Sequence, residues 1–199
     1  MIDQHNFAKR RDRFLHQLDG NAAIIPAASM VTHHADCEYP FRQNSDFWYL
    51  TGFDEPDAVA LFLSHRPIGE QFVLFVLPKN PQVEVWNGYR SGTEGVVRDF
   101  GVDIAHPLDE FPKLLADYLK GAKGIAFRIG KHPKVEPIVL KVLADQLDTV
   151  QRTGSVALSL SAPCPLLHQL RLHKEPLELE RMREAALISA KAHELAREV

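Results

Sequence analysis

Two cysteines in 199 residues, Cys37 and Cys164, are too few and too far apart for a disulfide framework and read as the reduced thiols of an intracellular protein. No apolar run approaches the roughly 18 residues that a membrane-spanning helix needs. The opening Met1-Ile-Asp-Gln-His-Asn also lacks a charged-then-apolar leader pattern, so a cytoplasmic setting without a membrane partner is expected. Charge of one sign is missing too. With 23 basic and 26 acidic residues the net charge is -3 and the pI near 6.4, which gives no field to gather nucleic acid. There are no internal repeats and no low-complexity segments.

What is present is ordinary for a folded protein, with 45% hydrophobic and 25% charged residues. One domain of about 150 to 180 residues plus a remainder is the natural division. Residues 3–19 place Phe7, Phe14, Leu15 and Leu18 at helical spacing, with Lys and Arg between them and Gly20 as a stop. This predicts an amphipathic helix lying on a sheet. Residues 22–26 read as a short buried strand, followed to Arg42 by a polar loop carrying His33, His34, Asp36 and Glu38. Short apolar or alternating runs at 47–50, 58–64, 71–77 and 83–86, parted by turn residues, predict consecutive and largely antiparallel strands. After residue 100, helical periodicity over 108–119 and 137–147 alternates with strands at 124–129 and near 156–158. The combination predicts a mixed sheet with helices on both faces.

After Ser161-Ala-Pro-Cys-Pro165 and a short helical pattern at 166–172, Pro176 opens a highly charged helix. Its stripe of Leu179, Met182, Ala186, Ser189, Ala190 and His193 runs toward Val199 without a C-cap glycine, so the helix reads as cut off.

The densest chemistry lies in Asp36 to Pro56, where charged, amide and aromatic groups share one loop-to-strand unit. Its run Tyr39-Pro-Phe-Arg-Gln-Asn-Ser-Asp-Phe-Trp-Tyr-Leu-Thr-Gly-Phe53 closely resembles the N-terminal domain of bacterial Xaa-Pro aminopeptidase (aminopeptidase P), of the creatinase and prolidase group. The resemblance covers the whole chain. It implies a three-layer αβα sandwich of ribonuclease H-like motif with a mixed sheet over residues 1–173. Residues 174–199 would then be the linker and first helix of a catalytic pita-bread domain. In such relatives two divalent metal ions, manganese among them, are held by two Asp, one His and two Glu of the catalytic half, and a bridging hydroxide attacks the carbonyl before proline. No position here matches those motifs, so the chain is expected to hold no cofactor and to be inactive alone.

The resemblance also assigns candidate residues. Trp86, in Gln82-Val-Glu-Val-Trp-Asn-Gly-Tyr-Arg90, is predicted to end a strand at a glycine turn with its indole half exposed. In tetrameric relatives the matching Trp lines a neighbouring subunit's substrate pocket; the plainer reading is an aromatic packed at a rim. Asp36 matches a position near that pocket, and Arg152 aligns across a gap with an Arg implicated there. A carboxylate at such a place could pair with a substrate amino group, or be a surface ion pair worth roughly 0 to 1 kcal/mol. Arg42, Gln43, Asn44 and Asp46 are expected to satisfy loop backbone groups, and Phe47, Trp48, Tyr49 and Phe53 to fill both faces of a sheet. His33-His-Ala-Asp-Cys37 offers imidazoles but no second cluster, so solvated loop residues are expected there rather than a metal site. Cys37, between two acids, lacks the cationic surroundings of a reactive thiolate.

Three functions follow. The leading one is a domain that assembles a homo-oligomer, dimer or tetramer, and roofs a neighbour's active site for proline-containing peptides, with the catalytic domain of the same protein as partner. A free-standing assembly module is the second. A nuclease is the third, and is disfavoured because Asp36, Asp46, Asp54 and Asp57 fall mainly in turns and the net charge is negative.

Overall fold

A computed structural model describes residues 4–153 and 157–197. The chain runs α1 (Gln4–Leu18), β1 (Ala22–Pro26), β2 (Thr32–His34), β3 (Cys37–Glu38), α2 (Ser45–Thr51), β4 (Val59–Leu63), β5 (Phe72–Val76), α3 (Pro81–Asn87), α4 (Gly92–Phe100), β6 (Ile104–Pro107), a 3-10 turn at Leu108–Glu110, α5 (Phe111–Tyr118), β7 (Gly124–Ala126), α6 (Glu136–Thr153), β8 (Ser159–Ser161), α7 (Cys164–Leu172) and α8 (Pro176–Arg197).

Strands β1, β4 and β5 are buried at every position, as strands covered on both faces must be. Successive side chains point to opposite faces, so each run feeds two cores. Ile25, Ala60, Phe62 and Leu74 pack with Phe14 of α1, Phe47 and Leu50 of α2, Val96 of α4 and Leu167 of α7. Ile24, Leu61, Val73 and Phe75 pack with Phe111 and Leu115 of α5 and Val139 of α6. The sheet order is β6-β5-β4-β1-β7-β8, with β4 antiparallel to β1 and β5 and the outer strands joining in parallel. This is the three-layer αβα sandwich with a mixed sheet that the sequence implied.

Two expected strands are helices. Residues 47–50 lie in α2, because Asn44 Oδ1 accepts the N–H groups of Asp46 and Phe47 and Gly52, at φ 66°, closes the other end on Trp48 O. Seven residues with both ends capped outweigh the β preference of an aromatic run. Phe47, Tyr49 and Leu50 therefore fill one core rather than both faces of a sheet. Residues 83–86 lie in α3, entered through the Asn80 cap with Pro81 at the first turn. Helix α4 and strand β6 were not anticipated, and β6 adds in parallel, so the first half is less antiparallel than predicted. The last strand is Ser159–Ser161 rather than 156–158, and Val156 lies outside the described residues.

Of the four polar residues expected to satisfy loop backbone, Gln43 and Asn44 do so, whereas the Asp46 carboxylate pairs with Arg171 and Arg42 bonds to no described residue. Gln43 is 8% exposed, and its amide makes four bonds. Oε1 accepts the N–H of Ala28 and of Asn44, each at 2.8 Å, while Nε2 donates to the carbonyls of Phe53 at 3.2 Å and Glu55 at 2.9 Å. One side chain thus joins the exit of β1, the entry of α2 and the turn after it. Gln43→Ala strands these groups, and stability should fall by about 3 kcal/mol in urea denaturation. A loss under about 1 kcal/mol would mean that water replaces the amide.

Candidate functional site

The registers Pro26↔Val59, Val59↔Phe75 and Ala23↔Ala126 put the C-terminal ends of β1, β5 and β7 at one edge of the sheet. Two exposed structures leave from that edge. The first is the β2–β3 hairpin, in which the polar loop predicted after β1 has paired with itself and turns at Ala35, φ 49°, and Asp36. Every residue from 31 to 40 is exposed. His33 packs edge-on against Tyr39 at 4.5 Å, and the Cys37 thiol lies 3.9 Å from Asp36 Oδ1. A two-stranded ribbon without a core beneath it is marginal by itself.

The second is α3, which presents Trp86 at 86% exposure beside Val85 and Tyr89. Trp86 is therefore not at the end of a strand, and it is more exposed than the half-buried indole expected. Its helix is well anchored. Asn80 Oδ1 accepts from Gln82 and Val83, Glu84 returns a carboxylate to the Asn80 N–H at 3.0 Å, and Glu55 takes both the N–H and the hydroxyl of Ser91 just beyond.

Arg152 is elsewhere. Helix α6 begins beyond β7 and returns to the start of β8, which carries Arg152 to the opposite edge, where its Nε donates to Asp148 O. The fold places Trp86 and Asp36 on elements leaving one edge and separates Arg152 from both.

A third feature was hidden in α1. Arg10, one of the basic residues between the apolar positions of α1, is 1% exposed, and Arg11 is also buried. The Arg10 guanidinium lies 4.4 Å from the Tyr49 ring centroid, donates to Tyr49 O, and reaches Glu175 Oε2 at 3.3 Å and Glu178 Oε1 at 3.4 Å. Arg13 also pairs with Glu175, and Arg171 with Asp46. Burial, against the opposing pull of Arg10, holds the Tyr49 phenol above its ordinary range, and the phenol donates to Leu170 O at 3.2 Å. These contacts clamp the base of α8, yet no residue of α8 is buried. Met182, Leu187, Ile188 and Leu195 are all more than half exposed.

Residues 7–126 match the family described as the aminopeptidase P, N-terminal domain. The chain belongs to this family. It is 37% identical to the Xaa-Pro aminopeptidase of Escherichia coli over 99% of its own length and 45% of that protein's, and 31% identical to that of Haemophilus influenzae over 96% and 42%. Its fold matches aminopeptidase PepP of Pseudomonas aeruginosa with a TM-score of 0.88 at 33% identity, covering 96% of this chain and 43% of that one. Zinc-substituted E. coli aminopeptidase P in complex with product matches equally well, at 36% identity over 96% and 44%. The chain thus spans less than half the length of these relatives.

The described residues do not assemble a metal centre. Among those described, no group of three or more His, Cys, Asp or Glu side chains converges. His33 and His34 are neighbours on an exposed strand, where alternate side chains diverge. Nor does any helix among the described residues have the length and apolarity to cross a membrane.

The clamp on α8 is testable within this chain. Arg10→Met keeps the packing stem but leaves Glu178 and the Tyr49 carbonyl without their cation and Glu175 with Arg13 alone, and should cost about 3 kcal/mol in thermal or urea unfolding. A neutral outcome would show that α8 is not held through Arg10.

Proposed function

We propose that this chain is the non-catalytic half of a metal-dependent Xaa-Pro aminopeptidase, with residues 1–173 as the domain and 174–199 leading into a catalytic pita-bread half. The domain builds a homo-oligomer, dimer or tetramer, in the cytoplasm, where Cys37 and Cys164 stay free thiols. Trp86 and Asp36 wall the substrate pocket of an adjoining copy. The observation that carries this reading is the Trp86 indole, left in water on a helix capped at its start and tethered just beyond its end, next to two further exposed apolar side chains. Packing within the chain gives no reason for such a patch, whereas an interface does.

The division of labour follows from the residue types. Two divalent ions, manganese by resemblance, supply the hydroxide when bound in the catalytic half. Trp86 contributes a flat apolar wall that excludes water and a through-running chain, so a peptide enters by its free amino end. The Asp36 carboxylate, whose nearest partner is a weak thiol donor, can take an ammonium or a guanidinium. Arg152, at the opposite edge, would serve a different contact from the one Trp86 and Asp36 share.

In the complete enzyme, Trp86→Ala should lower kcat/KM on Xaa-Pro tripeptides about tenfold or more while metal content is unchanged. Unaltered peptide kinetics would remove the capping role.

A further inference from the structure

At the edge described above, the chain leaves β1 toward α2, whose Phe47, Tyr49 and Leu50 pack on one face of the sheet. It leaves the adjacent parallel strand β7 toward α6, whose Val139 and Val142 pack on the other. Connections that diverge to opposite faces leave a crevice outside the carboxyl ends of the two strands, the place where open α/β sheets bind ligands. A cleft of about 890 Å³ lies there, bounded by residues 26–29, 42–46 and 131–135 with Arg128, its apolar lining including the half-buried Leu108 and Ile138 and the exposed Val31. Its size is that of a small-molecule site.

Its charge is opposite to that of the chain. Five cations, Arg42, Arg128, Lys131, Lys134 and Arg171, face two carboxylates, Asp46 and Asp57, although the whole chain carries -3. Both carboxylates are already engaged. Asp46 pairs with Arg171, and Asp57 accepts the Ser29 hydroxyl at 2.6 Å and Lys134 at 3.0 Å. Arg42, Arg128 and Lys131 are left with no hydrogen bond or ion pair among the described residues. Three cations unanswered around an apolar lining describe one half of a complementary pair.

We propose that this cleft binds a small organic anion, a carboxylate or phosphate on an apolar body, with Arg42, Arg128 and Lys131 on the head group and the body against Val31, Leu108 and Ile138. The proposal does not depend on the assembly reading, since it involves neither Trp86 nor Asp36. The ligand is amphipathic because neither wall suffices. Exposed cations alone are weakened by salt over about 8 to 10 Å, and the apolar lining alone selects no charge.

Isothermal titration of the 199-residue chain, repeated on the complete enzyme, should use adenosine 5′-monophosphate, 4-phenylbutyrate and the neutral 4-phenylbutanol as probes. At least one anion should bind saturably and at least tenfold more tightly than the alcohol, and the tighter anion assigns the head group. R128Q/K131Q should weaken it at least tenfold with an unchanged Tm, and R42Q, on a different segment, should weaken it independently. Absence of saturable binding by both anions up to about 10 mM, equal binding of the alcohol, or binding indifferent to both variants would overturn the site. So would binding by the 199-residue chain that the complete enzyme lacks, which would make the cleft the seat of another segment of the protein.

Discussion

The loops at the edge that bears Trp86 and Asp36 are joined through a single buried amide, that of Gln43. The connection from β1 to α2 passes the ends of the central strands twice, at Ala27 and at Gln43, and where it is buried its N–H and C=O groups need partners. Gln43 answers four of those needs at once, with two acceptances and two donations that use its whole hydrogen-bonding capacity. Because its partners belong to the β1 exit, the α2 entry and the turn after α2, their relative positions follow from one rotamer. The Glu55 carboxylate, next to a carbonyl that Gln43 fixes, then reaches Ser91 and carries the same order to the segment after α3. Trp86 is placed by that succession of bonds rather than by packing of its own side chain.

What could be read beforehand and what could not divide along a physical line. Strands β1, β4 and β5 were legible because short apolar runs between turn residues leave few alternatives, and the alternation of helices with strands after residue 100 predicted helices on both faces. The two failures, α2 and α3, are helices of seven residues each, too short for periodicity to declare itself. Their caps were visible in Asn44 with Gly52 and in Asn80-Pro81, but β-favouring aromatic and branched residues masked them. Arg10 was missed for another reason. It occupies the helical slot between Phe7 and Phe14, where an apolar residue would ordinarily sit, and so belongs to the stripe that α1 buries. A cation interrupting an apolar stripe was the available sign that a carboxylate from elsewhere would meet it. That Glu175 and Glu178 lie 165 and 168 positions away is information only the tertiary structure holds.

The residues singled out as a site were legible only through resemblance. Nothing in spacing or composition marks Trp86, Asp36 or Arg152, and the fold sorts them unevenly. Topology explains why. Connections from β1 and β5 leave at the same edge, so the hairpin and α3 share it, whereas an 18-residue helix is long enough to recross the whole sheet and deliver Arg152 to the far side. Arg42 was assigned to loop backbone, and the cleft escaped notice because its cations lie apart in sequence, on the approach to α2 and on the loop after β7, and only the parallel pairing of β1 with β7 makes them neighbours.

Exposure is where the domain departs most from a self-sufficient fold. A helix of 22 residues with none buried gains little tertiary packing, and packing supplies most helical stability in folded proteins. Yet its first turn is secured with care. A buried guanidinium is shared by two carboxylates, a second Arg joins Glu175, and Glu178 accepts the Glu175 N–H at 2.8 Å. Such attention to one end of an otherwise uncovered helix makes sense if direction is what must be preserved. A rod fixed at its base sets where anything joined to its far end will stand, and at 1.5 Å per residue a small rotation at Arg10 becomes a large displacement some 30 Å away. The tie runs from α8 through Arg10 to Tyr49 in α2, and α2 is seated by Asn44, whose N–H is held by Gln43. The amide that orders the edge bearing Trp86 and Asp36 therefore also stands behind the bearing of the last helix. One aromatic-rich motif in this way stands behind both the edge that bears Trp86 and Asp36 and the bearing of α8.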